Sequence, residues 1–371
     1  MTNLALYRKY RPKTFKEVIG QEIVVQTLTG ALVQDIVSHA YLFAGPRGTG
    51  KTTVARLLAK ALNCQQRKAK EFEPCNQCES CQEINGGRSI DLIEIDAASN
   101  RGIDEIRRLK EDIRFVPVKS KYKIFIIDES HQLTQAASDA LLKTLEEPPA
   151  HAVFILATTE INKMKPTIIS RCQCFDFHLL RENQIRKKLD FILQQEKVGY
   201  EPEALSMIIQ QAQGALRNAE SFLDECLTLA STKPRPKITV AQVQNLLGLV
   251  EQGAVHQLVS LLLAKKTGAS LTFLNQLVGE GSNPAEINRA LSDYLRKILL
   301  LKIDPKFQDL TMVELAAEAR KEIVSLGKKY SLEEVQKILD FLLLTQSRIN
   351  YSYIPQLPIE LAIVQFCEKI K

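Results

Sequence analysis

The chain has no tryptophan among its 371 residues, an absence that by itself excludes nothing. More is excluded by what the N-terminus lacks. "MTNLALYRKYRPKTF" carries neither an apolar h-region nor a small-residue cleavage site, so no secretion signal is expected. No apolar run approaches the roughly 18 residues that a membrane span needs. Internal repeats and low-complexity tails are missing too, which excludes a repeat array. The composition is otherwise ordinary for a folded soluble protein, with 45% hydrophobic and 25% charged residues. The net charge of +6 permits a polyanionic partner without establishing one. These features lead to an expected cytoplasmic location, where the eight cysteines stay reduced. Close cysteine spacing there points to metal before disulfide.

A chain of this length holds two or three domains. Its first half alternates short apolar runs with helical patterns. "HAYLFAG" (His39 to Gly45), "IDLIEID" (Ile90 to Asp96), "YKIFIID" (Tyr122 to Asp128) and "AVFILATT" (Ala152 to Thr159) read as buried strands, and Lys51 to Leu62 as a helix. Such alternation predicts a parallel sheet with helices on both faces. From about Leu179 the apolar spacing becomes helical, "STKPRPK" breaks it, and beyond about Leu246 nearly everything is amphipathic helix. The expected plan is an α/β domain, a small helical domain and a larger helical domain.

"GPRGTGKT" follows the first strand and opens a helix, the setting in which G-x-x-x-x-G-K-[ST] has meaning. Its residues Gly45, Pro46, Arg47, Gly48, Thr49, Gly50, Lys51 and Thr52 would turn backbone N–H groups inward as an anion nest at a helix N-terminus. Lys51 would reach the β- and γ-phosphates and the Thr52 hydroxyl would bind Mg²⁺. In "IFIIDES", Asp128 at a strand end is placed to hold the same Mg²⁺, and Glu129 to polarise a water. The reaction class is nucleoside-triphosphate hydrolysis. In "NCQQRKAKEFEPCNQCESCQ", Cys64, Cys75, Cys78 and Cys81 can close a tetrahedral thiolate site for Zn²⁺. The polar residues between them leave no hydrophobic company for a buried helix face. Four thiolates leave no open position for water, so the expected metal is structural. His39 and His131 lie outside that pattern and receive no ligand role.

Together with "YRKYRPKTFKEVIGQE", "IEIDAASNRGIDEIR", "ALLKTLEEPP", "ILATTE" and "ISRC", these motifs resemble the gamma/tau subunits of bacterial DNA polymerase III, the AAA+ ATPase motors of the sliding-clamp loader. The likeness is close over roughly the first 230 residues and rests on helical character beyond. It implies a P-loop AAA+ domain over 1–178 with a zinc-binding insertion at 64–81, a helical lid with a second sensor over 179–245, and an all-α collar for oligomerisation over 246–371. Residue by residue, it implies that Thr159, with Thr158 as the neighbouring candidate, is the polar sensor after the fourth strand. It places Arg217 at the γ-phosphate and Tyr7 and Arg11 beside the base. The helical pattern agrees on Arg217, which falls off the apolar stripe Leu216, Ala219, Leu223, Cys226, Leu227 and Ala230. Two departures stand out. Ser130-His131-Gln132 follow the acidic motif where a more apolar stretch is usual, and Asn218 replaces a common aspartate. Neither removes a catalytic group.

In "IISRCQCFDF", Cys172 and Cys174 lack the second pair that a zinc site needs and are expected to be small packing residues. Arg171 has no acid in its own motif, and the resemblance implies that it completes the ATP site of a neighbouring subunit. The implied partners are delta- and delta-prime-type subunits in a hetero-pentameric ring, the sliding clamp and primed DNA, with no membrane. The implied work is loading of the clamp during replication, beside the polymerase activity of the whole enzyme. Arg101, Arg107, Arg108, Lys110 and Arg114 could meet DNA phosphates, although interleaved acids fit a solvated helix equally well. Two other readings compete. "DESH" resembles a DExH helicase box, but a helicase needs a second ATPase lobe that the helical half does not offer. A scaffold that binds ATP without turnover has no use for Glu129 and Arg171.

Overall fold

The computed structural model describes residues 4–99, 112–113, 115–230, 237–304, 306, 317–349 and 351–368. The basic stretch from Arg101 to Lys110 and Arg114 lie outside them. The chain divides into two compact units, residues 1–237 and 238–371.

In the first unit, strands β1 (Ala40–Ala44), β2 (Leu92–Asp96), β3 (Lys123–Asp128), β4 (Ala152–Thr158) and β5 (Gln173–Asp176) form one sheet in the order β2-β3-β4-β1-β5. Every pairing is parallel. All residues of β1 and β4 are buried, which is why they read as continuous apolar runs rather than alternating ones. Alternation is still present in where they pack. Tyr41 and Phe43 join the layer of Val54, Leu57 and Leu58 on the helix Lys51–Leu62. Ala40 and Leu42 join that of Leu141 and Leu145 on the helix Gln135–Glu146. Parallel pairing brings the carboxyl ends of β1, β3 and β4 to one edge of the sheet, where ligands bind in open α/β folds.

The four strands expected from sequence are present, and β5 is an addition. It lies at the sheet edge and buries only Phe175 of its four residues, so it shows no apolar run. The helices Glu182–Glu196, Pro202–Ala212 and Leu216–Ala230 follow.

The second unit packs the helices Gln252–Leu263, Thr267–Gly279, Pro284–Ile303, Ala317–Lys329, Leu332–Ile349 and Leu357–Cys367 around a core that includes Leu258, Leu262, Leu295, Ile298, Ile338 and Ile359. It begins before the expected boundary after residue 245, which falls inside the helix Val240–Leu247. That helix is a discrete element, started by a Thr239–Gln242 capping box and ended by Gly248 in the left-handed region. The break in the chain therefore follows the proline-bearing stretch rather than the change in apolar pattern. Among the described residues no single helix is long and apolar enough to cross a membrane.

Candidate functional site

The loop after β1 is shaped by glycines in conformations that other residues adopt only under strain. Gly45 has φ 145°, and a Cβ there would lie 2.2 Å from the Phe177 carbonyl oxygen. Gly50, at φ 101°, caps the helix Lys51–Leu62 and turns the loop into its N-terminus. Within the loop the Thr49 hydroxyl donates to the Pro46 carbonyl at 2.8 Å. Lys51 Nζ donates to the Gly45 and Pro46 carbonyls at 2.7 and 2.8 Å. Burial pushes the Lys51 ammonium below its ordinary pKa, while Glu129 and Asp128 pull it back.

Asp128 ends β3 and its Oδ2 accepts from Thr52 Oγ1 at 2.7 Å. The two groups expected to share Mg²⁺ are thus adjacent, and their oxygen chemistry suits a hard cation. Glu129 sits in the left-handed region at φ 47°, a conformation costly for a side-chain-bearing residue and common at active sites. Its Oε2 accepts from Thr159 Oγ1 at 2.9 Å. The neighbouring candidate, Thr158, points elsewhere. Its Oγ1 accepts from the Glu160 amide at 3.1 Å and meets His131 Nδ1 at 3.0 Å.

A cavity of about 330 Å³ lies between the phosphate loop and the acidic motif, and Thr159 is not among the residues that line it. Its lining includes the loop from Arg47 to Thr52, Asp128, Glu129, Tyr7, Arg11 and Arg217. The Arg217 amide donates to the Gly48 carbonyl, and its guanidinium lies 4.8 Å over the Tyr7 ring. Sequence reasoning missed further lining residues, among them Lys188 and Glu220. Both are buried, and Lys188 Nζ donates to the Tyr10 carbonyl at 2.9 Å. Burial pushes the Glu220 carboxyl up to about 7, against the opposing pull of Lys188 and Arg11. The available signal was a charged residue on the apolar stripe of its helix. Leu216, expected in that stripe, is only half-buried and lines the cavity.

Arg171 does not line this cavity. Its guanidinium donates to Glu146 at 2.8 Å and to the Thr167 carbonyl at 2.8 Å. The acid missing from its own motif therefore comes from "TLEEPP". Such a half-exposed pair is worth little, so it leaves the arginine free to exchange partners. Cys172 packs against the sheet's second layer. Cys174 is exposed, contrary to expectation, because edge strand β5 turns it outward.

The sulfurs of Cys64, Cys75, Cys78 and Cys81 all lie within 4.8 Å of one another. Cys64 and Cys78 are 4.0 Å apart and Cys75 and Cys81 3.9 Å. A tetrahedral thiolate site with bonds of about 2.3 Å places its sulfurs about 3.8 Å apart, so this donor set fits one. Burial would raise the Cys75 thiol, but hydrogen bonds from the Cys78 and Gln77 amides outweigh it and bring the thiol down to about 6.

Three family models match the chain: "DNA polymerase III, delta subunit" over residues 20–181, "DNA polymerase III clamp loader subunit, ATPase lid domain" over 184–231, and "DNA polymerase III subunits gamma and tau domain III" over 238–370. The chain is 39% identical to the DNA polymerase III subunit tau of Bacillus subtilis, over 99% of this chain and 64% of that protein. It is 33% identical to the tau subunit of Escherichia coli, over 98% of this chain and 55% of that one. The gamma subunit of Buchnera aphidicola (subsp. Schizaphis graminum) is 35% identical, with 99% of this chain matching 98% of that protein. The chain thus spans about half to two thirds of the tau proteins and nearly all of a gamma protein.

Proposed function

This chain belongs to the DNA polymerase III gamma/tau family, and from that premise we propose that it is the ATP-hydrolysing subunit of a cytoplasmic clamp loader. ATP binding would open the sliding clamp, and hydrolysis would release it on primed DNA during replication. The observation that carries this reading is the convergence of the Lys51 loop, Asp128, Glu129 and Arg217 on one cavity.

Each residue then has a role. The Gly45–Thr52 loop cradles the phosphates, and Lys51 reaches the β- and γ-phosphates. Thr52 and Asp128 would hold Mg²⁺, which when bound neutralises phosphate charge. Glu129 orients and deprotonates the attacking water, with Thr159 holding one of its oxygens. Arg217 senses the γ-phosphate from the lid, and Tyr7 and Arg11 wall the base end. Arg171 acts on the ATP of the adjoining subunit, where such an arginine is worth about 10³–10⁵ in rate. Head-to-tail contacts of that kind generate rings or open spirals, here with delta- and delta-prime-type subunits. The second unit serves as the collar. The cysteine module binds Zn²⁺ structurally, and polymerase activity belongs to the assembled enzyme.

The test is ATP turnover by the chain with and without delta-type partners, clamp and primed DNA. Stimulation by the full set supports the reading. Equal turnover on any single-stranded DNA with unwinding of duplexes would favour the helicase reading instead.

A further inference from the structure

The residue that follows the acidic motif by two places, His131, has no part in the roles above, yet it sits against Glu129. Its side chain is only 5% exposed. Nδ1 meets Thr158 Oγ1 at 3.0 Å and stands 3.6 Å from Glu129 Oε2, while Nε2 lies 3.4 Å from Glu160 Oε1. The Glu160 amide donates to Thr158 Oγ1 at 3.1 Å. A consistent set of donors closes a ring. The Glu160 N–H donates to Thr158, the Thr158 hydroxyl to His131 Nδ1, and His131 Nε2–H faces the Glu160 carboxylate.

We propose that His131 is a positioning residue for ATP hydrolysis: its imidazole, locked by Thr158 and Glu160, backs the Glu129 carboxylate and keeps it aimed at the attacking water. Glu129 needs such support because its backbone is held in the left-handed region, where the residue has alternative conformations of lower energy to relax into. Thr159 donates to Oε2 from one side, and the His131 ring, whose Nδ1 is engaged by Thr158, packs 3.6 Å from the same oxygen and limits its movement on the other, which leaves Oε1 for the water. The inference rests on the reading of Glu129 given above. A ring that does not line the cavity acts on turnover and not on binding, since misplacement of a catalytic group by an ångström costs about 100-fold in rate.

The experiment measures ATP affinity of the full chain by fluorescence, and kcat and KM in the reconstituted assembly with primed DNA. It compares wild type, Glu129→Gln, His131→Ala, His131→Asn and Thr158→Val. We expect His131→Ala to lower kcat by about 10- to 100-fold with KM and affinity within about twofold. His131→Asn, whose amide can still meet Thr158, recovers most of the rate, and Thr158→Val loses part of it. Wild-type turnover by His131→Ala beside an inactive Glu129→Gln overturns this proposal alone. Equal losses of turnover, affinity and thermal stability in both His131 variants overturn it too, since they mark a structural role. Full turnover by Glu129→Gln overturns the underlying reading and this inference with it.

Discussion

Lys51, Asp128 and Glu129 were readable from sequence because phosphate and metal chemistry fixes residue type, spacing and position at strand ends together. Lys188 and Glu220 were not, because what makes them unusual is burial against elements distant in the chain. Lys51→Ala removes the cation that faces the phosphates and is expected to abolish ATP binding in a fluorescence titration. Glu129→Gln keeps binding and lowers turnover by about 10²-fold or more. Glu220 makes a prediction about pH. Its folded pKa, about 7, is raised above the unfolded value. The uncharged form therefore favours the fold at low pH, and that contribution is lost as pH rises through about 7. Glu220→Gln should match wild type in stability near pH 4 and exceed it by up to about 3 kcal/mol near pH 8. Urea melts at both pH values check this, and a variant equally stable at both would contradict it.

At the scale of elements, the cysteine module is tied to the phosphate-loop helix by one buried lysine. Lys60, only 2% exposed, donates to the Lys13 carbonyl, Asn76 Oδ1 and Asn85 Oδ1 at 2.9, 2.6 and 3.0 Å. Asn76 lies inside the module and also donates to the Lys13 carbonyl at 3.1 Å. Lys60→Met removes three hydrogen bonds and leaves Asn85 Oδ1 without its donor, and should destabilise the first unit by about 1–3 kcal/mol in denaturant melts. Metal analysis of carefully purified protein should find about one zinc per chain with thiolate coordination. Its absence there would refute the assignment. Strands β1, β3 and β4 and the helix Lys51–Leu62 were legible because they are buried on both faces or strongly periodic, and β2 because Leu92, Ile93 and Ile95 form an apolar run although none is fully buried. Edge strand β5 and the limit of the helical second unit were not, since neither leaves a local mark in apolar spacing. One strand is half solvent, and the unit boundary depends on which helices pack together.

On the scale of the whole molecule, the account turns on Arg171, which lies outside the cavity of its own chain and is held in a solvent-exposed pair with Glu146. Sequence supplied the arginine through a resemblance, and in the fold it pairs locally with Glu146 and the Thr167 carbonyl, so its proposed role on an adjoining molecule requires that pair to exchange. If Arg171 serves a neighbouring site as proposed, the chain alone is expected to bind ATP and to turn it over slowly. The most direct measurement is ATP turnover by wild type and Arg171→Ala, each as isolated chain and in the reconstituted loader with clamp and primed DNA. The account predicts equal ATP affinity throughout, slow turnover by both isolated chains, and stimulation by assembly that Arg171→Ala loses by about 10³-fold. Isolated wild-type chains turning over as fast as the assembly, or an assembled Arg171→Ala as fast as wild type, would contradict it.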